Sequence, residues 1–354
     1  MLNATTRDRS LLFRAPLLAR VLLANGGEAM VMKLYSHTLK VRKKQTMNHI
    51  IVVTEGLEKV PFTWLKDNAS VREASYKDPG ALTAALADAA GLIVRTYTPV
   101  NAELLAAAPK LRVVGRAGVG LENIDQDACA KRGIQVMSTP QANTHAVVEY
   151  VFNLIFTLAR PVVNLKTPVS AEEFHRFRKT SRGLELYGKT LGILGMGRIG
   201  QAVGRVAHAF GMEIIYNDVI NVAAHVNFPA QSVEKSELYR RADILTIHVS
   251  HRPGNERMIN RETFALMKNH AIVVNTARGE VIDAYALAEA LKAGQISAAA
   301  LDVHDPEPPG TDYPLWGMSN IIFAPHLAAR TQGSMDAMSW VARDVVEYLD
   351  SQSS

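Results

Sequence analysis

From Met47 onward, short apolar runs recur between longer stretches in which apolar positions return every three or four residues. The runs "IIVVT" (50–54), "GLIVRT" (91–96), "LRVVGRAG" (111–118), "LGILG" (191–195), "EIIYND" (213–218), "ADILTIHV" (242–249), "AIVVNTA" (271–277), "AALDV" (299–303) and "NIIFAP" (320–325) are rich in Val, Ile and Leu. Continuous runs of this kind suit strands covered on both faces, as in parallel sheets. The intervening "LTAALADAA", "NAELLAAAP" and "AYALAEALKAG" have helical spacing, and Gly294 closes the last as a helix stop. Strand and helix in alternation predict an α/β protein built on doubly wound parallel sheets. No repeat of fixed period interrupts the rhythm.

Length and composition sharpen this picture. With 354 residues, 48% of them apolar, the chain can bury two cores of ordinary size, so two domains are expected. The longest apolar stretch, 147–159, carries Glu149 and Asn153 and is too short for a bilayer, which predicts a protein that folds in water without a membrane span. A single cysteine, Cys129, excludes an internal disulfide framework and a cysteine zinc cluster; it suits a reducing compartment, and no metal site is expected. Cytoplasm is the expected location.

The formal charge of +5 divides unevenly. Residues 1–46 hold nine Lys and Arg against Asp8 and Glu28, a local +7, which leaves −2 for the rest. The basic balance thus belongs to one tail and not to a face for phosphates, so nucleic acid is not an expected partner. The tail is acid-poor like a transit peptide but lacks the Ser-rich helical character of one. It is expected to be a disordered or non-native extension, with Met47 as an alternative start.

"TLGILGMGRIG" combines a buried run, a glycine-rich turn and the opening of a helix. Gly195 permits the tight turn, Gly197 lets backbone approach a pyrophosphate, and Gly200 allows close helix–strand packing. The free N–H groups and positive dipole end of the helix then face the anion. The second strand ends in Asp218, placed to accept bonds from the adenosine ribose hydroxyls, and the following Val219 and Ile220 provide no arginine for a 2′-phosphate. NAD is expected in preference to NADP. Three more strand ends carry polar residues: Arg278 after "AIVVNTA", Asp302 with Glu307 in "AALDVHDPEPP", and His326 after "NIIFAP". A hydride exchanged with a carbonyl carbon requires a proton at the oxygen, which a histidine supplies. A carboxylate beside it keeps the imidazolium populated, and an arginine fork holds a substrate carboxylate.

These segments, with "VVGRAGVGLENID" and "APHLAA", resemble the NAD-dependent D-2-hydroxyacid dehydrogenases, most closely the D-3-phosphoglycerate dehydrogenase branch. The resemblance runs from about Ile50 to Val346. It implies a catalytic set of Arg278, Glu307 and His326, with His326 as acid/base, Glu307 tuning it and Arg278 anchoring substrate. It implies cofactor contacts at Gly195, Gly197, Arg198, Ile199, Gly200, Asp218, Val249, Thr276, Ala277 and Asp302, and at Val119 and Ala329. Substrate contacts follow at Arg95 and Arg116, at the anion nest Ala117, Gly118 and Val119, and at Arg278. The implied architecture has a flavodoxin-like substrate domain (47–143 plus 327–354) and an inserted Rossmann NAD-binding domain (144–326), with a cleft between them. The late fingerprint fits that insertion and argues against the L-specific lactate and malate dehydrogenases.

Several features limit the substrate. The chain ends 28 residues after His326, which leaves no regulatory extension of the long phosphoglycerate dehydrogenases, so serine feedback is not expected. Ser250, Ala328 and Arg330 depart from the branch pattern, and Tyr97 adds bulk beside Arg95. D-3-phosphoglycerate is the expected substrate, with glyoxylate, hydroxypyruvate or another 2-oxoacid as rivals. An NAD-sensing corepressor of the same fold is the alternative from another class. Glu307 counts against a formate dehydrogenase, which has glutamine there. By resemblance a homodimer is expected, with "HAVVEYVFNLIFTLARPVVN" as either its apolar surface or a buried core helix.

Overall fold

The computed structural model describes residues 49–352 apart from residue 251. The basic tail, and with it the expectation of a disordered extension, lies outside the described residues. Twelve strands among the described residues form two sheets, and every strand pair in both is parallel.

The first sheet comprises β1 (Ile50–Val53), β2 (Ser70–Glu73), β3 (Gly91–Val94), β4 (Val113–Arg116) and β5 (Gln135–Ser138), in the order β2-β1-β3-β4-β5. Its helices are α1 (Lys59–Asn68), α2 (Pro79–Leu86), α3 (Ala102–Ala106) and α4 (Gln126–Lys131). The order reverses between β1 and β3, which opens a crevice at their carboxyl ends. After β5 the chain enters α5 (Thr144–Ala159) and α6 (Ala171–Thr180), then builds the second sheet.

That sheet uses β6 (Thr190–Leu194), β7 (Glu213–Asn217), β8 (Gln231–Ser232), β9 (Ile244–Ile247), β10 (Ile272–Asn275), β11 (Ala298–Leu301) and β12 (Ile321–Phe323), in the order β12-β11-β10-β9-β6-β7-β8. Helices α7 (Arg198–Ala209), α8 (Lys235–Arg241), α9 (Arg261–Leu266) and α10 (Ala284–Lys292) cover it. Its reversal falls between β6 and β9, directly beneath the glycine-rich turn. The chain ends in α11 (Gln332–Ser339) and α12 (Val341–Ser351), and α12 returns to the first sheet, packing Val341, Ala342, Val345 and Leu349 among Ile51, Ile93 and Val113. Gly115 in β4 makes this approach possible, since a Cβ there would sit 2.5 Å from Val345 Cγ2.

All nine apolar runs form strands. The three unanticipated strands, β2, β5 and β8, lie at sheet edges, where one-sided burial tolerates polar residues and erases the apolar signal. Helix α5 is spent on the chain's own core: Val147, Val151, Phe152 and Ile155 are buried with residues of β6, β10 and β11. Gly294 stops α10 with φ +67°.

Candidate active site

The two crevices supply the functional side chains. At the second sheet, Gly195 follows β6 with φ +95°, a conformation that favours glycine, and a Cβ there would lie 2.8 Å from the His248 carbonyl. A Cβ on Gly200 would collide with the Gly195 carbonyl oxygen, so α7 can pack this tightly on β6 only through glycine. Gly197 is different: it is the helix N-cap, its Cβ position is open, and no side chain caps the helix. First-turn N–H groups of α7 are therefore offered to solvent beside an open cradle, as a bound pyrophosphate requires.

Asp218 stands at the end of β7, half-buried. Its Oδ2 accepts from Met196 N at 2.7 Å and its Oδ1 from Ile220 N at 3.2 Å, so the carboxylate also braces the glycine turn. Val249 approaches Gly195 from the end of β9. Thr276 Oγ1, after β10, is buried with no hydrogen-bond partner among the described residues, which leaves a polar atom for a ligand. These residues fit a dinucleotide in chemistry and placement.

Asp302, Glu307 and His326 converge at the far side of the same sheet edge. His326 Nδ1 lies 2.8 Å from Glu307 Oε1, which leaves Nε2 free to meet a substrate. Burial raises the Glu307 carboxyl, but the hydrogen bond and charge of His326 outweigh it and hold Glu307 below the usual carboxylate range. The His326 backbone has φ +56°, uncommon for a residue with a side chain. Fully buried Asp302 imposes that turn: its oxygens accept from Leu327 N at 2.6 Å and Ala328 N at 2.8 Å, and its carbonyl accepts from His326 N at 2.8 Å. Asp302 thus acts first on the loop carrying His326. Burial pushes its carboxyl up, against the pull of those two N–H groups. Another histidine of this edge, His248, is pushed by burial down to about 3 and bonds Thr246, so it is a neutral structural group.

Arg278 follows β10 in a turn fixed by buried Asn275, whose Nδ2 donates to the Arg278 carbonyl at 2.8 Å and whose Oδ1 accepts from Ala277 N at 3.0 Å. The guanidinium reaches the other sheet, donating from Nε (2.9 Å) and Nη2 (2.6 Å) to Glu122 Oε1 in the loop after β4. Beside it, Arg116 lies beneath the Gly118 backbone, with Nε buried and without a hydrogen-bond partner among the described residues. Burial lowers the Arg116 guanidinium from its ordinary value, and Arg278 and Arg95 add to this while Glu122 opposes it. Arg95, after β3, donates to the Gly56 carbonyl at 3.1 Å and to Met335 Sδ at 3.3 Å. Glu55 at the end of β1 fixes its loop by accepting from the backbone N–H groups of Arg95, Thr96, Tyr97 and Thr98.

Residues of the expected site therefore gather at the carboxyl ends of the strands of each sheet. The half-buried Val119 belongs to the loop that also carries Glu122, and Ala329 follows the turn braced by Asp302. Sequence reasoning missed Glu55, Glu122 and Asn275. Glu122 stands in a segment whose glycines and arginine drew attention first, and Asn275 lies inside the run 271–277, where it reads as strand.

Residues 152–328 match the family model for the D-isomer specific 2-hydroxyacid dehydrogenase NAD binding domain. The TT0316 protein of Thermus thermophilus is 31% identical and superposes with a TM-score of 0.73 over 84% of this chain and 97% of that one. This chain belongs to the D-isomer specific 2-hydroxyacid dehydrogenase family. A D-lactate dehydrogenase from Aquifex aeolicus, solved with NAD and lactic acid, is 27% identical with a TM-score of 0.70, over 86% and 95% of the two chains. The D-3-phosphoglycerate dehydrogenase of Methanocaldococcus jannaschii is 40% identical over 301 residues, 84% of this chain and 57% of that protein. The chain thus spans little more than half the length of the curated relatives it matches.

Proposed function

We propose that the chain is an NAD-dependent D-2-hydroxyacid dehydrogenase working as a 2-oxoacid reductase in the reverse direction. The observation that carries this reading is the His326–Glu307 pair at 2.8 Å on the sheet edge that also bears Arg278 and the glycine turn. Residues 47–143 and 327–354 would bind substrate, and 144–326 would bind the cofactor. Gly195, Gly197, Arg198, Ile199, Gly200 and Asp218 would hold the dinucleotide, with Val249, Thr276, Ala277, Asp302, Val119 and Ala329 toward its reactive end. When bound, the cofactor supplies or accepts a hydride at C2 of the substrate. His326 Nε2 gives a proton to the carbonyl oxygen in reduction and takes it from the hydroxyl in oxidation, while Glu307 fixes the ring through Nδ1. Arg278 and the Gly118–Val119 backbone hold the carboxylate, and closure of the cleft excludes water.

D-3-Phosphoglycerate is the favoured substrate, with Arg95 and Arg116 toward its phosphate. An unphosphorylated oxoacid such as glyoxylate or hydroxypyruvate is the second reading, favoured by the Arg95 guanidinium's commitment to Gly56 and Met335. NAD is preferred over NADP because the Asp218 carboxylate, followed by exposed Val219 and Ile220, opposes a 2′-phosphate. A homodimer is supported by α6, none of whose residues is buried, and by Val162, 90% exposed just before it. A cytoplasmic setting is supported by the free, buried Cys129.

The test follows NADH absorbance with 3-phosphoglycerate in oxidation and with hydroxypyruvate, glyoxylate and pyruvate in reduction, with His326→Ala as control. Turnover of 3-phosphoglycerate that vanishes in the variant is expected. Faster turnover of an unphosphorylated oxoacid moves the assignment to a general reductase, and NADH binding without turnover on any substrate overturns the enzymatic reading.

A further inference from the structure

We infer that Glu122 is a positioning residue for Arg278, holding the guanidinium across the cleft so that one fork remains for the substrate carboxylate. This rests on the proposed dehydrogenase reading. Arginine has five N–H donors in fixed directions. Nε and Nη2 give one edge to Glu122 Oε1, at 2.9 and 2.6 Å, and Nη1 gives the donor on its own backbone side to the Ala277 carbonyl at 2.6 Å. What is left is the end-on edge, one N–H from Nη1 and one from Nη2. That edge is unclaimed by any described residue and matches a carboxylate in two parallel bonds.

The contact joins the two sheets: Glu122 follows β4 of the first and Arg278 follows β10 of the second, 156 residues apart. Gly120 lies directly against the pair: a Cβ there would meet both Glu122 Oε2 and Arg278 Nη2, and these side-chain ends would have to shift to admit it. Electrostatics gives the loop acid a second task. Arg278 and Arg95 both oppose the charge of Arg116, and among carboxylates Glu122 answers Arg116 most strongly. Burial raises the Glu122 carboxyl, but the charge and hydrogen bond of Arg278 and the charge of Arg116 hold it below the usual range, so it is an anion when the pair works. Without that anion, Arg278 faces the like charge of Arg116 and loses the bonds that orient it toward the Gly118–Gly120 loop.

The opposite role is physically distinct: Glu122 as a competitor that substrate must displace. Steady-state kinetics of Glu122→Gln and Glu122→Asp with the best 2-oxoacid of the wild type, together with oxalate titration of the enzyme–NADH complex by NADH fluorescence, separate the two. Positioning predicts that Glu122→Gln lowers kcat at least tenfold, raises the oxalate Kd at least fivefold and leaves the KM for NADH unchanged. Glu122→Asp should recover part of the loss, and the melting temperature should stay within a few degrees, which a merely structural role would not produce. A lower KM and tighter oxalate in Glu122→Gln would overturn positioning in favour of competition, and unchanged values would overturn both. If the wild type reduces no oxoacid, the dehydrogenase reading fails and the oxalate titration still decides; a wild type that binds no oxalate ends the inference as well.

Discussion

Glu307 shows how one contact both orients the His326 ring and sets a pH dependence. The carboxyl is held below its ordinary value because His326 outweighs the penalty of burial. A depressed folded value means that the Glu307 carboxylate stabilises the fold above the ordinary glutamate range, about pH 4.3, and that this contribution is lost as pH falls through the lowered folded value. Glu307→Gln should therefore melt below the wild type near neutrality, and the gap should narrow only as pH falls below about 4.3, through the lowered folded value. A thermal melt series over that range checks the sign; a gap that widens on acidification would contradict the pairing. His326 and Glu307 could be chosen from the sequence because each follows a strand end and carries the chemistry openly. Glu122 could not, because its role depends on Arg278 reaching it from another sheet.

Elements position these residues through glycines with different duties. Gly200 lies against the Gly195 carbonyl, whereas Gly197 faces open space with φ −73°, which any residue adopts. Gly200→Ala should destabilise the fold by about 1–3 kcal/mol, the usual cost of overpacking, and lose NADH affinity with it. Gly197→Ala should leave the melting temperature unchanged but weaken NADH binding at least tenfold, because its methyl intrudes only where the pyrophosphate approaches. Calorimetric melts paired with fluorescence titration separate the two, and similar melting losses in both variants would refute the distinction. The strand-turn-helix spacing made this turn legible. Edge strands β2, β5 and β8 were not legible, since partly exposed positions accept the same polar residues as loops.

At the scale of the molecule, the two parallel sheets meet through Arg278–Glu122, while α11 packs on the first sheet's unit, where its Met335 meets Arg95 and its Gln332 bonds Glu58 at 3.0 Å. Helix α6 has no buried residue, and Val162 and Phe174 stand exposed. Sedimentation should give about twice the 38.7 kDa chain mass, and Val162→Asp with Phe174→Asp should shift it to the monomer; a monomeric wild type would remove the proposed interface. The long apolar helix α5 shows why sequence alone left the interface open: periodicity marks an apolar face but not what covers it, and here β6, β10 and β11 do. The sequence by itself determined the α/β class, nine of the twelve described strands, the glycine turn and the histidine–glutamate pair, because these depend on local spacing and residue chemistry. Only the tertiary structure decided which residues of α12 pack against the first sheet, that Asp302 braces the His326 turn and that Glu122 meets Arg278. Each joins residues distant in sequence, and the packing that brings them together leaves no periodic trace in the chain.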